Sequence, residues 1–136
     1  MNTAVVRLGW LRFMYVYTII GGGGGGLAIL FAPGFVREIS GRAAQSSLLL
    51  GLAGSVFLAF GVASIFALRC PLKFAPVLVL QLFYKAIWLV GVFVPQMIRG
   101  QSPTYVIIGA VVFLTYIIGD LIAIPFSVVF AKESET

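Results

Sequence analysis

Residues 47–68 read SLLLGLAGSVFLAFGVASIFAL, 22 consecutive residues without one charged side chain. As a helix rising about 1.5 Å per residue the run reaches about 33 Å, enough to cross a hydrocarbon core about 30 Å thick. It does not alternate polar and apolar residues, as a membrane strand would. Its backbone groups can be satisfied in lipid only within the segment itself, so the run reads as a transmembrane helix.

Working outward, three similar segments appear at residues 13–31, 76–98 and 104–126. The links between the four spans cover residues 32–46, 69–75 and 99–103, short enough to make consecutive helices antiparallel neighbours. The fold class expected is all-α, one membrane domain over residues 1–136 built as a four-helix bundle. Composition agrees: 61% of residues are hydrophobic, 10% are charged, and the mean hydropathy is +1.12. A soluble domain carries about a quarter charged residues, so lipid is the expected solvent.

The net charge of +5 would suggest nucleic acid in a soluble protein. Here the cations flank the spans instead, and no nucleic-acid partner is expected. Arg7, Arg12, Arg69, Lys73 and Lys132 fall on one side, Arg37, Arg42 and Arg99 on the other. The excess places both termini in the cytoplasm. Arg7 and Arg12 before an apolar run resemble the start of a signal peptide. The run is too long, however, and Leu30, Phe31, Ala32 and Pro33 offer no small-x-small cleavage site, so it is expected to stay attached.

The first span contains Gly21, Gly22, Gly23, Gly24, Gly25 and Gly26 in a row. Each glycine lowers helix propensity by about 1 kcal/mol against alanine in water, and together they strip one helical segment of side chains. The run is either a close helix-packing site or a groove for a lipid tail, quinone or pigment. A phosphate loop is excluded, because no lysine follows and the glycines lie in hydrocarbon. The second span repeats small residues every four positions, at Ser47, Gly51, Ser55, Ala59, Ala63 and Ala67, with Gly54 and Gly61 nearby. Small-xxx-small rows let helix backbones approach. The glycine-rich first helix is the expected partner, and another chain the alternative.

The third and fourth spans carry Gln81, Lys85, Tyr116 and Asp120. Charged groups within spans cost about 2.5 to 3.5 kcal/mol each near a helix centre, so they pair or face a cavity. Lys85 lies about 13 Å into the third span and Asp120 about 9 Å from the same side in the fourth. Because helical side chains lean towards the N-terminus, the ammonium of Lys85 is brought down towards Asp120, and a direct ion pair is expected. Gln81 and Tyr116, each one turn earlier on the same face, complete an intramembrane polar cluster. That cluster is either a clamp between helices or a site for a solute or proton.

The chain has no histidine and one cysteine, Cys70, so neither haem ligation, an internal disulfide nor a metal centre is expected. Two of the four acids, Glu133 and Glu135, stand in the tail, so no zinc, iron–sulfur or di-metal site can be assembled within one chain. No nucleophile has an adjacent base. No catalytic activity and no cofactor are expected, apart from the lipid, quinone or pigment the glycine groove could hold.

The segments YKAIWL at residues 84–89 and IGDLIAIPF at residues 118–126 resemble parts of bacterial four-helix inner-membrane proteins of a broadly DoxX-like kind. The resemblance implies a multi-pass protein of a bacterial inner membrane and no established activity. The size also resembles small multidrug-resistance transporters, but those carry an acidic residue in the first span, and this span has none. The expected function is that of a non-catalytic four-helix subunit that packs against and stabilises a larger membrane complex, with lipid and other subunits or copies of itself as partners. The alternatives are a homo-oligomeric carrier or channel for a small solute or protons, and a lipid, quinone or pigment binder.

Overall fold

The computed structural model describes residues 7–40, 47–100 and 104–132, with the main chain alone at residues 37–40, 47 and 105. Among these residues all regular structure is helical. Four helices are long and apolar enough to cross a membrane: α1 (Leu8–Phe31), α3 (Ser47–Ala67), α4 (Ala75–Ile98) and α5 (Thr104–Ala123). Two short helices accompany them, α2 (Pro33–Ser40) after the first span and α6 (Phe126–Val129) after the last. The spans succeed one another around a ring, α1 against α3, α3 against α4, α4 against α5, and α5 back against α1.

The first span begins earlier than residue 13, at Leu8, and the fourth ends at Ala123 rather than 126. The reason at the second boundary is local. Pro125 has no N–H to donate, and its ring pushes Ile124 out of helical geometry, so α5 closes with the Ile124 N–H on the Asp120 carbonyl at 2.8 Å. The expected loop at residues 32–46 holds α2; the side chains of Arg37 and Glu38, and all of Arg42, lie outside the described residues, as do Glu133 and Glu135.

Two spans contain a wide π-helical turn. In α1 it covers Ile19–Gly23, where the Gly24 N–H reaches back five residues to the Ile19 carbonyl. The buried face of α1 steps through Leu11, Met14, Tyr15 and Thr18, then jumps five positions to Gly23 before continuing to Gly26 and Ile29. The extra residue therefore rotates Gly23 and Gly26, instead of Gly22 and Gly25, onto the inner face. The second π turn, Leu89–Phe93 in α4, directly precedes Pro95. Proline cannot donate to the carbonyl four residues earlier and crowds it, and a widened turn accommodates both.

The α1–α3 seam is made of backbone. A Cβ on Gly26 would lie 2.6 Å from both the Gly54 carbonyl oxygen and the Leu58 nitrogen, and one on Gly61 would lie 2.6 Å from the Gly23 Cα. No flexible side chain is available there to give way. The expected row Ser47, Gly51, Ser55, Ala59, Ala63 and Ala67 is not this contact: Ser55 and Ala59 are exposed, Gly51 and Ala63 half-buried, and Ser47's side chain lies outside the described residues. A four-residue step overshoots a full turn by about 40°, so such a row wanders about 200° around the helix over its length. The buried set is Leu50, Gly54, Gly61, Ser64 and Ala67, whose mixed spacing of three, four and seven keeps one face.

An apolar core lies at the end of the bundle where α1 and α4 begin and α3 and α5 finish. Leu11, Met14 and Tyr15 pack there with Ala67, Leu78, Leu82 and Ala123. The Tyr15 hydroxyl donates to the Pro71 carbonyl at 2.6 Å, tying α1 to the α3–α4 turn, and Arg7 Nη1 donates to the Ile122 carbonyl at 3.1 Å. Gly119 lets α1 approach α5, since a Cβ there would meet the Met14 sulfur.

Candidate functional site

Beyond that apolar core, towards the middle of the bundle, the polar residues of three spans meet. Gln81, Lys85, Tyr116 and Asp120 are all at most 4% exposed. In α4, Gln81 follows Leu78 by three residues and precedes Lys85 by four, so all three share the inward face. In α5 the same spacing places Tyr116 and Asp120 one turn apart on the face that meets α4 and α1.

The antiparallel register pairs these residues one turn at a time. Gln81 stands level with Asp120 and donates from Nε2 to its two carboxylate oxygens, at 3.2 and 3.4 Å. Lys85 stands level with Tyr116, its Nζ 4.0 Å from the ring centroid. The direct Lys85–Asp120 ion pair expected from the sequence is not formed, because no carboxylate oxygen comes within 4.0 Å of Nζ. The two residues start at depths differing by about 4 Å, close to one helical turn. The lean of the lysine side chain does not close that gap, since the Tyr116 ring receives the ammonium first.

Lys85 is instead held by three aromatic faces. Its Nζ lies 4.7 Å from the Tyr84 centroid and 5.0 Å from that of Phe113, besides Tyr116, and donates to the Tyr84 hydroxyl at 2.8 Å. Each desolvated cation–π contact contributes up to about 2 kcal/mol, which offsets part of the cost of taking an ammonium out of water. Phe60 of α3 packs on Tyr84 at 5.1 Å, and Trp88 meets Phe113 edge to face at 5.0 Å. The cage thereby joins α3, α4 and α5.

On the other side the network runs into α1. The Thr18 hydroxyl, whose proton goes mainly to the Met14 carbonyl at 2.8 Å, also faces Gln81 Oε1 at 3.3 Å. Tyr116 donates to the Tyr17 carbonyl at 3.0 Å, and its ring stacks on that of Tyr17 with centroids 4.1 Å apart and planes 6° from parallel. The Tyr116 hydroxyl occupies the space a Cβ on Gly21 would need, so the start of the glycine run serves this junction as well as the seam with α3. Tyr17 in turn donates to Thr115 Oγ1 at 2.6 Å, because the Thr115 proton is already directed to the Val112 carbonyl.

Thr18, Tyr17 and Phe113 take part in this arrangement without having stood out in the sequence, whereas Tyr84 is one of the polar positions of the third span. Thr18 was detectable as the one aliphatic hydroxyl on the face 11, 14, 15, 18. Tyr17 reads as an interfacial ring, and only its partner on α5 marks it otherwise. The glycines of α1 divide: Gly22, Gly23 and Gly26 touch α3, Gly21 makes room for Tyr116, and Gly24 and Gly25 meet nothing within 4 Å of where a Cβ would be. Among the described residues no three of His, Cys, Asp or Glu gather as metal ligands, and Cys70 is exposed in the α3–α4 turn. No protein-family model, curated protein or solved structure matches the chain.

Proposed function

We propose that this chain is a non-catalytic membrane subunit, resident in a bacterial inner membrane with both termini on the cytoplasmic side, that packs laterally against a larger membrane complex. The observation that carries the reading is the internal use of its polar groups. Thr18, Gln81, Tyr84, Lys85, Tyr116 and Asp120 all find partners within the bundle. Among the described residues only Gln96 Oε1 is a buried side-chain polar atom without a hydrogen bond. A cluster so engaged acts as a clamp that sets the register of α1, α4 and α5, leaving the apolar exterior as the surface for neighbours. Purification from the native membrane in mild detergent, with mass spectrometry of every co-purifying chain, tests the reading. Stoichiometric foreign subunits are expected, and recovery of this chain alone would overturn it.

A carrier of a small solute or protons is the second reading, favoured by one specific feature: Lys85 and Asp120 are buried close together yet do not touch, which leaves each free to exchange partners. For a carrier, Asp120→Asn abolishes uptake into proteoliposomes while the variant still assembles. For a clamp, no uptake is seen with either protein.

A further inference from the structure

The end of the bundle where α1 begins carries a shallow, largely open apolar groove, lined among the described residues by Gly9, Trp10 and Phe13. Gly9 contributes no side chain, and no described residue approaches within 4 Å of where its Cβ would stand, so bare helix backbone lies beside the two rings. Trp10 and Phe13 are 44% and 56% exposed and meet edge to face at 5.7 Å. A tryptophan at the end of a span sits at the depth of lipid headgroups and upper acyl chains. The groove therefore faces lipid, at the boundary between hydrocarbon and headgroups.

Among the described side chains, the exposed charges at this end are of one sign. Arg12 lies one turn beyond Gly9 on the same side of α1 and is exposed. Unlike Arg7, which is tied to the Ile122 carbonyl, Arg12 has no hydrogen bond or ion pair among the described residues. Arg69, Lys73 and Lys132 are exposed at the same end of the bundle, also without partners among the described residues. Asp120, the only carboxylate among the described side chains, is buried against Gln81.

We infer that this groove is a binding site for an anionic phospholipid, with an acyl chain along Gly9, Trp10 and Phe13 and the phosphate held by Arg12. The charge decides the class of lipid: an exposed cation beside an apolar groove, with other exposed cations and no exposed carboxylate among the described residues, favours a net negative headgroup over a zwitterionic one. The stem of Arg12 can lie along the apolar surface while its guanidinium reaches the phosphate level. The inference rests on the spanning fold and on these residues, and stands whether the bundle is an accessory subunit or a carrier.

The test uses the full chain in phosphatidylcholine vesicles containing either brominated phosphatidylglycerol or brominated phosphatidylcholine. Quenching is assigned to Trp10 by subtracting the signal of Trp10→Phe, which retains Trp88. Half-maximal quenching of Trp10 is expected at an anionic-lipid fraction about fivefold lower than for the zwitterionic lipid, and Arg12→Gln is expected to bring the two curves together. Coincident curves in the unaltered protein, or a preference that survives Arg12→Gln, would overturn the proposal. Arg12 has no partner among the described residues, so its replacement is expected to leave the bundle intact.

Discussion

Helix α1 meets its neighbours by opposite means. Against α3 it presents glycine to glycine, with Gly23 and Gly26 on Gly61 and Gly54. Against α5 and α4 it presents large and polar groups, Tyr17 stacked on Tyr116 and Thr18 reaching Gln81. No hydrophobic effect draws helices together inside hydrocarbon, so association depends on close van der Waals contact and on polar partners. One helix uses each on a different side. The first contact should be intolerant of a single added carbon, the second intolerant of a lost charge or hydroxyl.

The largest effect is expected at the polar contact. Asp120→Leu strands the Gln81 amide and leaves Lys85 the lone charge in the bundle, and removing one member of a buried charged network typically costs about 3 to 5 kcal/mol. Unfolding in mixed micelles by a graded increase of sodium dodecyl sulfate should show that loss. The double variant Lys85→Met with Asp120→Leu should recover part of it, since residues of one network are not additive. Strict additivity would mean that the two act independently, and the clamp would have to be abandoned.

Next in size is the glycine seam. Gly26→Ala places a methyl against the backbone of Gly54 and Leu58, where neither can yield, and overpacking of this kind costs about 1 to 3 kcal/mol. The same unfolding assay checks it, and a neutral result would mean that the helices separate readily here. Tyr15→Phe removes the buried hydroxyl on the Pro71 carbonyl and should cost about 1 kcal/mol. The smallest effect has the opposite sign. Gly24→Ala and Gly25→Ala meet open space, and each should stabilise the protein by up to about 1 kcal/mol through helix propensity. Two glycines a few residues apart in one run would then respond in opposite directions to the same methyl group.

The contrast within that run shows where sequence reading reached its limit. Six identical residues carry no internal signal of which face inward, and the strict period of a helix would have selected Gly22 and Gly25 after Thr18. The π turn at Ile19–Gly23 shifts the register by one and selects Gly23 and Gly26. The four-residue row in α3 misled for a related reason, because a true inward face must alternate steps of three and four. At the polar cluster, residue type and burial pointed to Gln81, Lys85, Tyr116 and Asp120, since polar groups in a span are costly unless shielded. Their pairing was a matter of about 4 Å of depth, less than the length of a lysine side chain, and no reading of spacing alone settles that.

What the sequence by itself determined is the all-helical, four-span architecture. Uninterrupted apolar runs of spanning length leave the backbone no alternative to helix in a solvent that cannot hydrogen-bond to it. What only the tertiary structure decided is which surfaces meet and which polar atoms pair. Those outcomes depend on the rotation and axial offset of each helix, and both are set by the contacts of neighbours: glycines that allow α3 to approach, a π turn that rotates them into place, and a Tyr116 ring that reaches Lys85 before Asp120 does.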